Sequence, residues 1–392
     1  MEYLALKNSI IMCGDYEVIT INSISKISRN DWDNIVNVNN IFFAYDFLLS
    51  LENSGCTSHQ TGWVPNHILI QKKNEIIAIV PNFIKYHSAG EYVFDQNWAS
   101  VYLNLGLNYY PKYLSAVPFT PINGDRIFYT ESVKKFIDVF NPIIEFINKQ
   151  NISSHHFNFV SKIQSNDIAN SGLLTRLGIQ YHWYNNNYSS FYDYLDTFKM
   201  KKRKNVLKER NSLTDKGIFF KIKSGNEIKI DDLNFFYSCY QNTIEKKWAN
   251  KYLNFDFFKN LLNTSLKNNI ILFIAYEKNG KEIASALNFK NQDVLYGRYW
   301  GCVKNIKYLH FELCYYQSID YAIKNKLRMI ESGAQGEHKI PRGYQPTITF
   351  SNHWIKNKKI HEALEKVLKH ENQNVIDTVD YLSKLLPFRN QI

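Results

Sequence analysis

The chain is short of several things. It has five cysteines, Cys13, Cys56, Cys239, Cys302 and Cys314, an odd number with no two close together. That excludes a disulfide framework or a zinc knuckle and leaves reduced thiols in a cytoplasmic protein as the simplest expectation. No apolar run reaches the ~20 residues that a bilayer-spanning helix needs. No charged N-terminal stretch leads into a long apolar core, so no secretory signal is expected either. Gly-x-Ser-x-Gly elbows, P-loops and Gly-x-Gly-x-x-Gly dinucleotide turns are all missing, which argues against hydrolase, kinase and dehydrogenase chemistry. His155 and His156 are neighbours on opposite faces of an expected strand, and Glu337, His338 and His353 lack zinc-helix spacing, so no metal is expected.

What is present is a chain of 392 residues, too long for one ordinary core. Two domains are expected, 16–188 and 189–392. Apolar residues make up 45% and charged residues 21%, the balance of a globular protein. The net charge of +11 permits an anionic partner. Aromatic content is 15%, alongside many Asn, Lys and Ile, so a single aromatic residue carries little functional weight.

Periodicity predicts an α+β order. The first 15 residues read as a loose leader. Helices are expected over 27–38, 42–54, 98–105, 133–150 and 171–177, and strands over 67–71, 75–86 (broken by Pro81), 91–95 and 156–160, with another near Tyr181. Proline keeps 110–122 out of regular helix. The second half predicts helices over 196–213, 231–252 and 255–266, strands over 270–276, 281–290 and 293–301, a helix spanning 309–327, a strand at 328–330 and a terminal helix over 361–370. The hairpin 68–83 resembles the hairpin 272–289. Both are strand, Lys-Asn turn, strand, ending in Asn-Phe, which suggests duplication.

Three features carry candidate chemistry. The first is the loop Glu331 to Pro346, with Gln335, Glu337, His338, Lys339, Arg342 and Tyr344 among three glycines. Glycine permits close approach, and reactive groups concentrate on loops held by a scaffold. Glu331, Glu337 or His338 could serve as a base toward an amine. Lys339, Arg342 and Tyr344 could hold an oxyanion or phosphate. The second is the strand Leu295 to Gly301, where alternation puts Tyr296, Arg298 and Trp300 on one face as a pocket wall. The plainer alternative is a buried Arg298 paired with Glu312 or Glu331. His310 and Glu312 open the next helix, where Glu312 suits a first-turn capping role and His310 could be a base. The third is Lys199 to Arg210, seven cations in twelve residues, with Lys201, Lys204 and Lys208 on one helix face and Arg203 and Arg210 on another. Such a helix can neutralise phosphates, or it can simply be solvated.

Several segments resemble the FemAB-like family labelled "peptidoglycan biosynthesis/recognition". They are Thr61 to Pro65, Gly90 to Asp95, Tyr110-Pro-Lys112, Val117 to Pro121, Tyr296 to Gly301, Leu309 to Tyr316 and Glu331 to Gly343. The resemblance runs from about Ser23 to Trp354, with Ile340-Pro341 as one departure from the pattern. It implies two tandem acetyltransferase-like (GNAT) domains, each a mainly antiparallel sheet flanked by helices. It also implies transfer of an acyl or aminoacyl group to an amine, with a peptidoglycan precursor as one acceptor class. The donor would be a co-substrate, aminoacyl-tRNA or acyl-CoA, with no tightly bound cofactor. On this reading Glu331, His338, Lys339 and Arg342 are catalytic. Arg298, Trp300, Tyr296, His310, Gln335, Glu337 and Tyr344 bind substrate, and Lys201, Arg203 and Lys204 hold donor phosphates. The CoA signature Gln/Arg-x-x-Gly-x-Gly/Ala opening a helix is not evident near Gln335, where Pro341 stands against a helix. The rival readings are a CoA-dependent N-acetyltransferase of a small amine and a non-catalytic module for cell-wall fragments or RNA.

Overall fold

The computed structural model describes residues 10–36, 40–246 and 251–389. Positions 1–9 of the expected leader, 37–38 of the first expected helix and 247–250 of the helix expected over 231–252 lie outside the described residues. The chain forms two compact units, Met1–Gly178 with Thr349–Val375, and Ile179–Ile348 with Ile376–Ile392. Each unit thus takes in a later stretch of chain, whereas the sequence reading divides it once, between 188 and 189.

In the first unit, β1 (Ile10–Cys13) pairs antiparallel with β2 (Tyr16–Ile21), so the end of the expected leader is sheet. Cys13 and Val18 bury there among core residues. Then come α1 (Arg29–Val36), α2 (Tyr45–Asn53), β3 (Trp63–Pro65), β4 (His67–Lys72), β5 (Glu75–Val80) and β6 (Phe83–Lys85). Pro81 separates β5 from β6, as a residue without an N–H should. Residues 91–95 form no strand, because Glu91 and Asp95 turn inward to a lysine instead. α3 (Gln96–Asn104), β7 (Lys112–Ser115), β8 (Phe128–Tyr129), α4 (Phe136–Asn148), β9 (Ser154–Val160) and α5 (Lys162–Asn170) follow. The helix expected over 171–177 is misplaced. Ser161 caps α5 by accepting from the Gln164 N–H, and the chain is already extended from Leu174 in β10 (Leu174–Tyr184). One sheet runs β1-β2-β4-β5-β8. Beside it β3, β6, β7 and β9 pair in that order, and β9 pairs with 350–355. α4 buries Val139, Phe140, Ile143, Phe146 and Ile147, a three-and-four stripe on one helix face.

In the second unit the expected basic helix is α7 (Met200–Thr214), starting four residues late and preceded by the short α6 (Phe191–Asp196). β11 (Phe219–Ser224) has no counterpart in the sequence reading. α8 (Ile230–Lys246) and α9 (Phe255–Leu262) precede the meander β12 (Ile270–Tyr276), β13 (Glu282–Lys290) and β14 (Val294–Cys302). A continuous helical stretch follows: α10 (Leu309–Phe311), a π-turn (Glu312–Tyr316) and α11 (Gln317–Lys324). Then come β15 (Met329–Glu331), a 3-10 turn (Glu337–Arg342), β16 (Gln345–Ile355) and α12 (Lys358–Ser383). α12 is far longer than the expected 361–370. β11 to β14 are antiparallel neighbours in sequence order, β14 pairs parallel with β15, and β15 pairs antiparallel with the end of β10. The fold is α+β, as expected. The two similar hairpins are β4–β5 and β12–β13, and each shifts register just before its turn. Among the described residues no helix is long and apolar enough to cross a membrane.

Candidate active site

β14 sets the geometry. Its parallel pairing with β15 runs from Val294–Met329 to Tyr296–Glu331. On its other side Leu287 pairs with Tyr299 and Asn288 with Gly297, so Arg298 is the extra residue of a bulge. A bulge slips the alternation by one. Trp300 therefore shares a face with Gly297, while Tyr296 and Tyr299 share the other. The expectation of Tyr296, Arg298 and Trp300 on one side is corrected accordingly. Packing agrees: the Tyr299 ring meets Tyr240 and Phe258, and the Trp300 ring meets His310 at 4.5 Å. The Arg298 and Glu331 side chains are each 2% exposed and form an ion pair at 2.6 Å. Arg298 also donates to the carbonyls of Gly297 and Glu331, joining β14 to β15 past their last ladder pair.

The 331–346 loop contains a short helix after all. A 3-10 turn over Glu337–Arg342 accommodates Pro341, because a single turn asks for few backbone N–H donors. Gly336 (φ 118°) and Gly343 (φ 82°) bracket it in left-handed conformations. At Gly343 a Cβ would also sit 1.9 Å from the Tyr194 hydroxyl. The turn buries Lys339, Ile340 and Arg342 and leaves Glu337 and His338 exposed.

Lys339 Nζ donates to the Ser332 carbonyl at 2.7 Å. Burial, with Arg298 nearby, lowers its amine to about 7. Arg342 donates to both Glu209 oxygens at 2.8 Å and to the His338 carbonyl at 2.6 Å, and its guanidinium lies 3.5 Å over the Phe311 ring. His338 Nε2 shares a 2.8 Å hydrogen bond with the Tyr315 hydroxyl. Partial burial, Lys339 and Arg342 all hold its pKa below the ordinary 6.5. Its ring lies 6.1 Å from His310 and 5.7 Å from Phe311. His310, Phe311 and Trp300 in turn line a cavity of about 350 Å³, with Lys246 and Lys307 also on its wall.

The sequence-predicted residues thus divide. Trp300, His310, His338 and Arg342 form one linked group, with Arg298, Glu331 and Lys339 buried behind it. Tyr296 faces away from Trp300, its ring 5.4 Å from the Arg298 guanidinium. Gln335 and Glu337 are exposed. Tyr344 is fully buried, its ring 5.4 Å from Tyr315. On α7, Lys201 and Lys204 are exposed, and Arg203 pairs with Asp196. Glu312 serves as an ion-pair partner rather than a first-turn cap. It accepts from Arg210, which also pairs with Asp320. Burial raises the Glu312 carboxyl, with Arg210 opposing.

Sequence reasoning missed Glu209, Phe311 and Tyr315. A signal for Glu209 existed, since it is the one carboxylate within the basic run 199–210. Phe311 and Tyr315 had none among so many aromatics.

A family model described as FemAB-like, peptidoglycan biosynthesis/recognition, matches residues 23–390. The chain belongs to the FemAB-like family. No curated protein matches it. Among solved structures it is similar to the C-terminal domain of a putative lysylphosphatidylglycerol synthetase from Agrobacterium fabrum. That match has a TM-score of 0.53 and 10% identity, and covers 87% of this chain and 96% of that one. FemX is similar at a TM-score of 0.49 and 10% identity, over 79% of this chain and 92% of FemX. A tandem GNAT protein from clavulanic acid biosynthesis is similar at 0.44 and 6% identity, over 87% and 99%. At such identities the likeness is one of fold.

The first unit of this FemAB-like protein holds a second polar cluster, built from the segments around Thr61–Pro65, Gly90–Asp95 and Tyr110–Lys112. Lys112 donates to Glu91 at 2.8 Å, to Ser88 at 2.9 Å and to Asp95. Lys85 lies 3.9 Å from Glu91 and 3.8 Å over the Trp63 ring. All four charged side chains are buried. Burial raises Glu91 to about 7, against Lys112, and lowers Lys85 to about 6. Lys112 stays charged: burial opposes its proton, but Glu91 and Asp95 outweigh it. In the sequence these residues stand out only as pieces of a family pattern, because nothing local shows that the two lysines and two acids meet.

Proposed function

We propose that this FemAB-like protein is an N-acyltransferase whose chemistry is carried by the second unit. An activated acyl or aminoacyl donor, aminoacyl-tRNA being the candidate the family resemblance suggests, would give its acyl group to an amine. A peptidoglycan precursor is the acceptor class that fits the family description.

One observation carries the reading. A cavity of about 350 Å³ is walled by Trp300, His310 and Phe311, and the last two rings adjoin an exposed histidine held by Tyr315. Transfer needs a base for the proton of the attacking neutral amine and an acid for the leaving group. His338 suits both, since its depressed pKa keeps it neutral near pH 7 and so able to take a proton. The amine nitrogen attacks the acyl carbonyl and the N–C bond forms. The C–O bond of an ester donor (C–S of a thioester) breaks, and the proton taken by His338 goes to the leaving oxygen or sulfur. Lys339 is assigned to the oxyanion, as a buried donor within the turn. Glu331 is committed to Arg298 and is assigned to positioning. Lys201 and Lys204, both exposed on α7, are assigned to donor phosphates. Arg203, paired with Asp196, stands beside them.

The test begins with thermal stability of the full chain against aminoacyl-tRNA, deacylated tRNA, acetyl-CoA and CoA. A ligand that binds only the folded state raises the midpoint. A rise with charged tRNA supports the aminoacyl reading, and a rise with CoA species moves the donor to acyl-CoA. With the donor so identified, His338→Gln is expected to lower kcat about 10²-fold or more, and kcat/KM of the wild type should rise with pH through an apparent pKa below 6.5. Full turnover in both His338→Gln and Lys339→Met would remove the assignment.

A further inference from the structure

The first unit carries a surface that the transfer chemistry does not use. Between Tyr86 and Pro111 the only acids or cationic side chains other than histidine are Glu91 and Asp95, and both are buried. The same stretch exposes Phe94 (59%), Val101, Leu103 (76%), Leu105 (59%) and Leu107. α3 buries Trp98 and Tyr102 against Ile360, Leu364 and Leu368, so its other side is left outward. Exposed large apolar side chains gathered in one uncharged segment are unusual on a protein that has only water to face.

The neighbouring chain supplies charge. Lys356, Lys358 and Lys359 are exposed, with no acid between Phe350 and His361. Lys356 lines a cavity of about 410 Å³ together with Tyr102, Leu107, Asn108, Tyr110 and Asn357. Leu107 of the apolar stretch and Lys356 therefore meet at one opening, with Lys358 and Lys359 close to Lys356 in the chain. A protruding apolar edge beside several cations is the combination that holds a protein at an anionic lipid–water boundary, the leucines entering the acyl region and the lysines facing headgroups.

We infer that this face of the first unit docks peripherally on a bilayer bearing anionic headgroups, with α3 and the 105–107 segment at the interface and Lys356, Lys358 and Lys359 beside it. A second copy of the chain is a less fitting occupant, because it would bring the same lysines to an apolar contact rather than anions.

The experiment is sedimentation of the full-length protein with vesicles of phosphatidylcholine alone and of phosphatidylcholine mixed with phosphatidylglycerol. The mixed vesicles are expected to pellet the protein, and added salt to weaken the binding. Leu103→Asp with Leu105→Asp should lower partitioning about tenfold or more, with an unchanged melting midpoint because both side chains are exposed. Replacing each lysine by Gln should cost about fivefold and abolish the preference for the anionic vesicles. Absence of binding to the mixed vesicles at low salt would overturn the inference. So would equal binding of the Leu103→Asp, Leu105→Asp variant, or equal binding to both vesicle types. A dimer in solution that this variant dissociates, without vesicle binding, would assign the face to a second copy instead.

Discussion

The Arg298–Glu331 pair allows a quantitative test of what holds the candidate site. Both side chains are 2% exposed, and Arg298 makes three hydrogen bonds, two of them to Glu331 across the end of the β14–β15 ladder and one to the Gly297 carbonyl of its own strand. Arg298→Met would leave the Glu331 carboxylate buried without its ion-pair partner. Breaking a buried pair from one side costs about 3–5 kcal/mol. For a unit of this size each kcal/mol moves the midpoint by about 2–4 °C, so a drop of roughly 6–20 °C is expected. The double variant Arg298→Met, Glu331→Met removes both charges and should recover to within about 2 kcal/mol of the wild type, because apolar replacement of a whole buried pair is close to neutral. The assay is urea denaturation of Arg298→Met, Glu331→Met, the double variant and the wild type at pH 7, read as a double-mutant cycle. A cost for Arg298→Met below about 1 kcal/mol would refute the reasoning, since that is the range of exposed pairs. Failure of the double variant to recover would show that the arginine matters for its carbonyl bonds and not for its charge.

Other perturbations follow from the same geometry. The Lys339 amine falls from 10.5 to about 7 on folding, so the unfolded chain holds more protons between those values and stability should rise with pH across that window. Lys339→Met should remove a cost of about 5 kcal/mol below pH 7 and flatten that slope, measured by denaturation from pH 6 to pH 9; Lys85, lowered to about 6, adds slope of the same sign, and Glu91, raised to about 7, opposes it below pH 7. Gly301→Ala should destabilise by about 3 kcal/mol or more, because its Cβ would stand 1.8 Å from the Cys239 carbonyl oxygen, which is backbone and cannot give way. Gly297→Ala, with its nearest neighbour at 3.4 Å, should cost less than about 1 kcal/mol in the same melts. Arg342→Lys keeps the charge but cannot hold Glu209 through one nitrogen and the His338 carbonyl through another, and loses the stack on Phe311, a loss of about 2 kcal/mol by denaturation.

Elements governed by local chemistry were readable in the chain. The β12–β13 hairpin, the break at Pro81 and the apolar stripe of α4 each need only a few neighbouring residues. Where the outcome depends on distant partners, reading failed. The bulge at Arg298 arises from pairing with β13 on one side and Glu331 on the other, and strict alternation cannot foresee it. Residues 91–95 have strand-like composition, yet their two acids are drawn to Lys112. Helix 171–177 was placed too late because Ser161 ten residues earlier caps α5. In the candidate site, His338, Lys339 and Arg342 stood out as a dense loop. Their supports, Tyr315, Phe311 and Glu209, come from two other helices, one of them a hundred residues upstream.

The four buried charges of the first unit constrain how this protein can change over generations. Lys85 and Lys112 sit on separate strands and Glu91 and Asp95 share the loop between them, and both acids converge on Lys112. Losing Lys112 strands the Asp95 carboxylate in a dry interior, and losing both acids strands Lys112, while exchanging all four for apolar side chains would be tolerable. Single-step descent between those two states passes through poorly folded intermediates. The cluster therefore acts as a ratchet: once assembled, it persists in a lineage whether or not any activity still depends on it. A relative that has lost it should have lost all four members together.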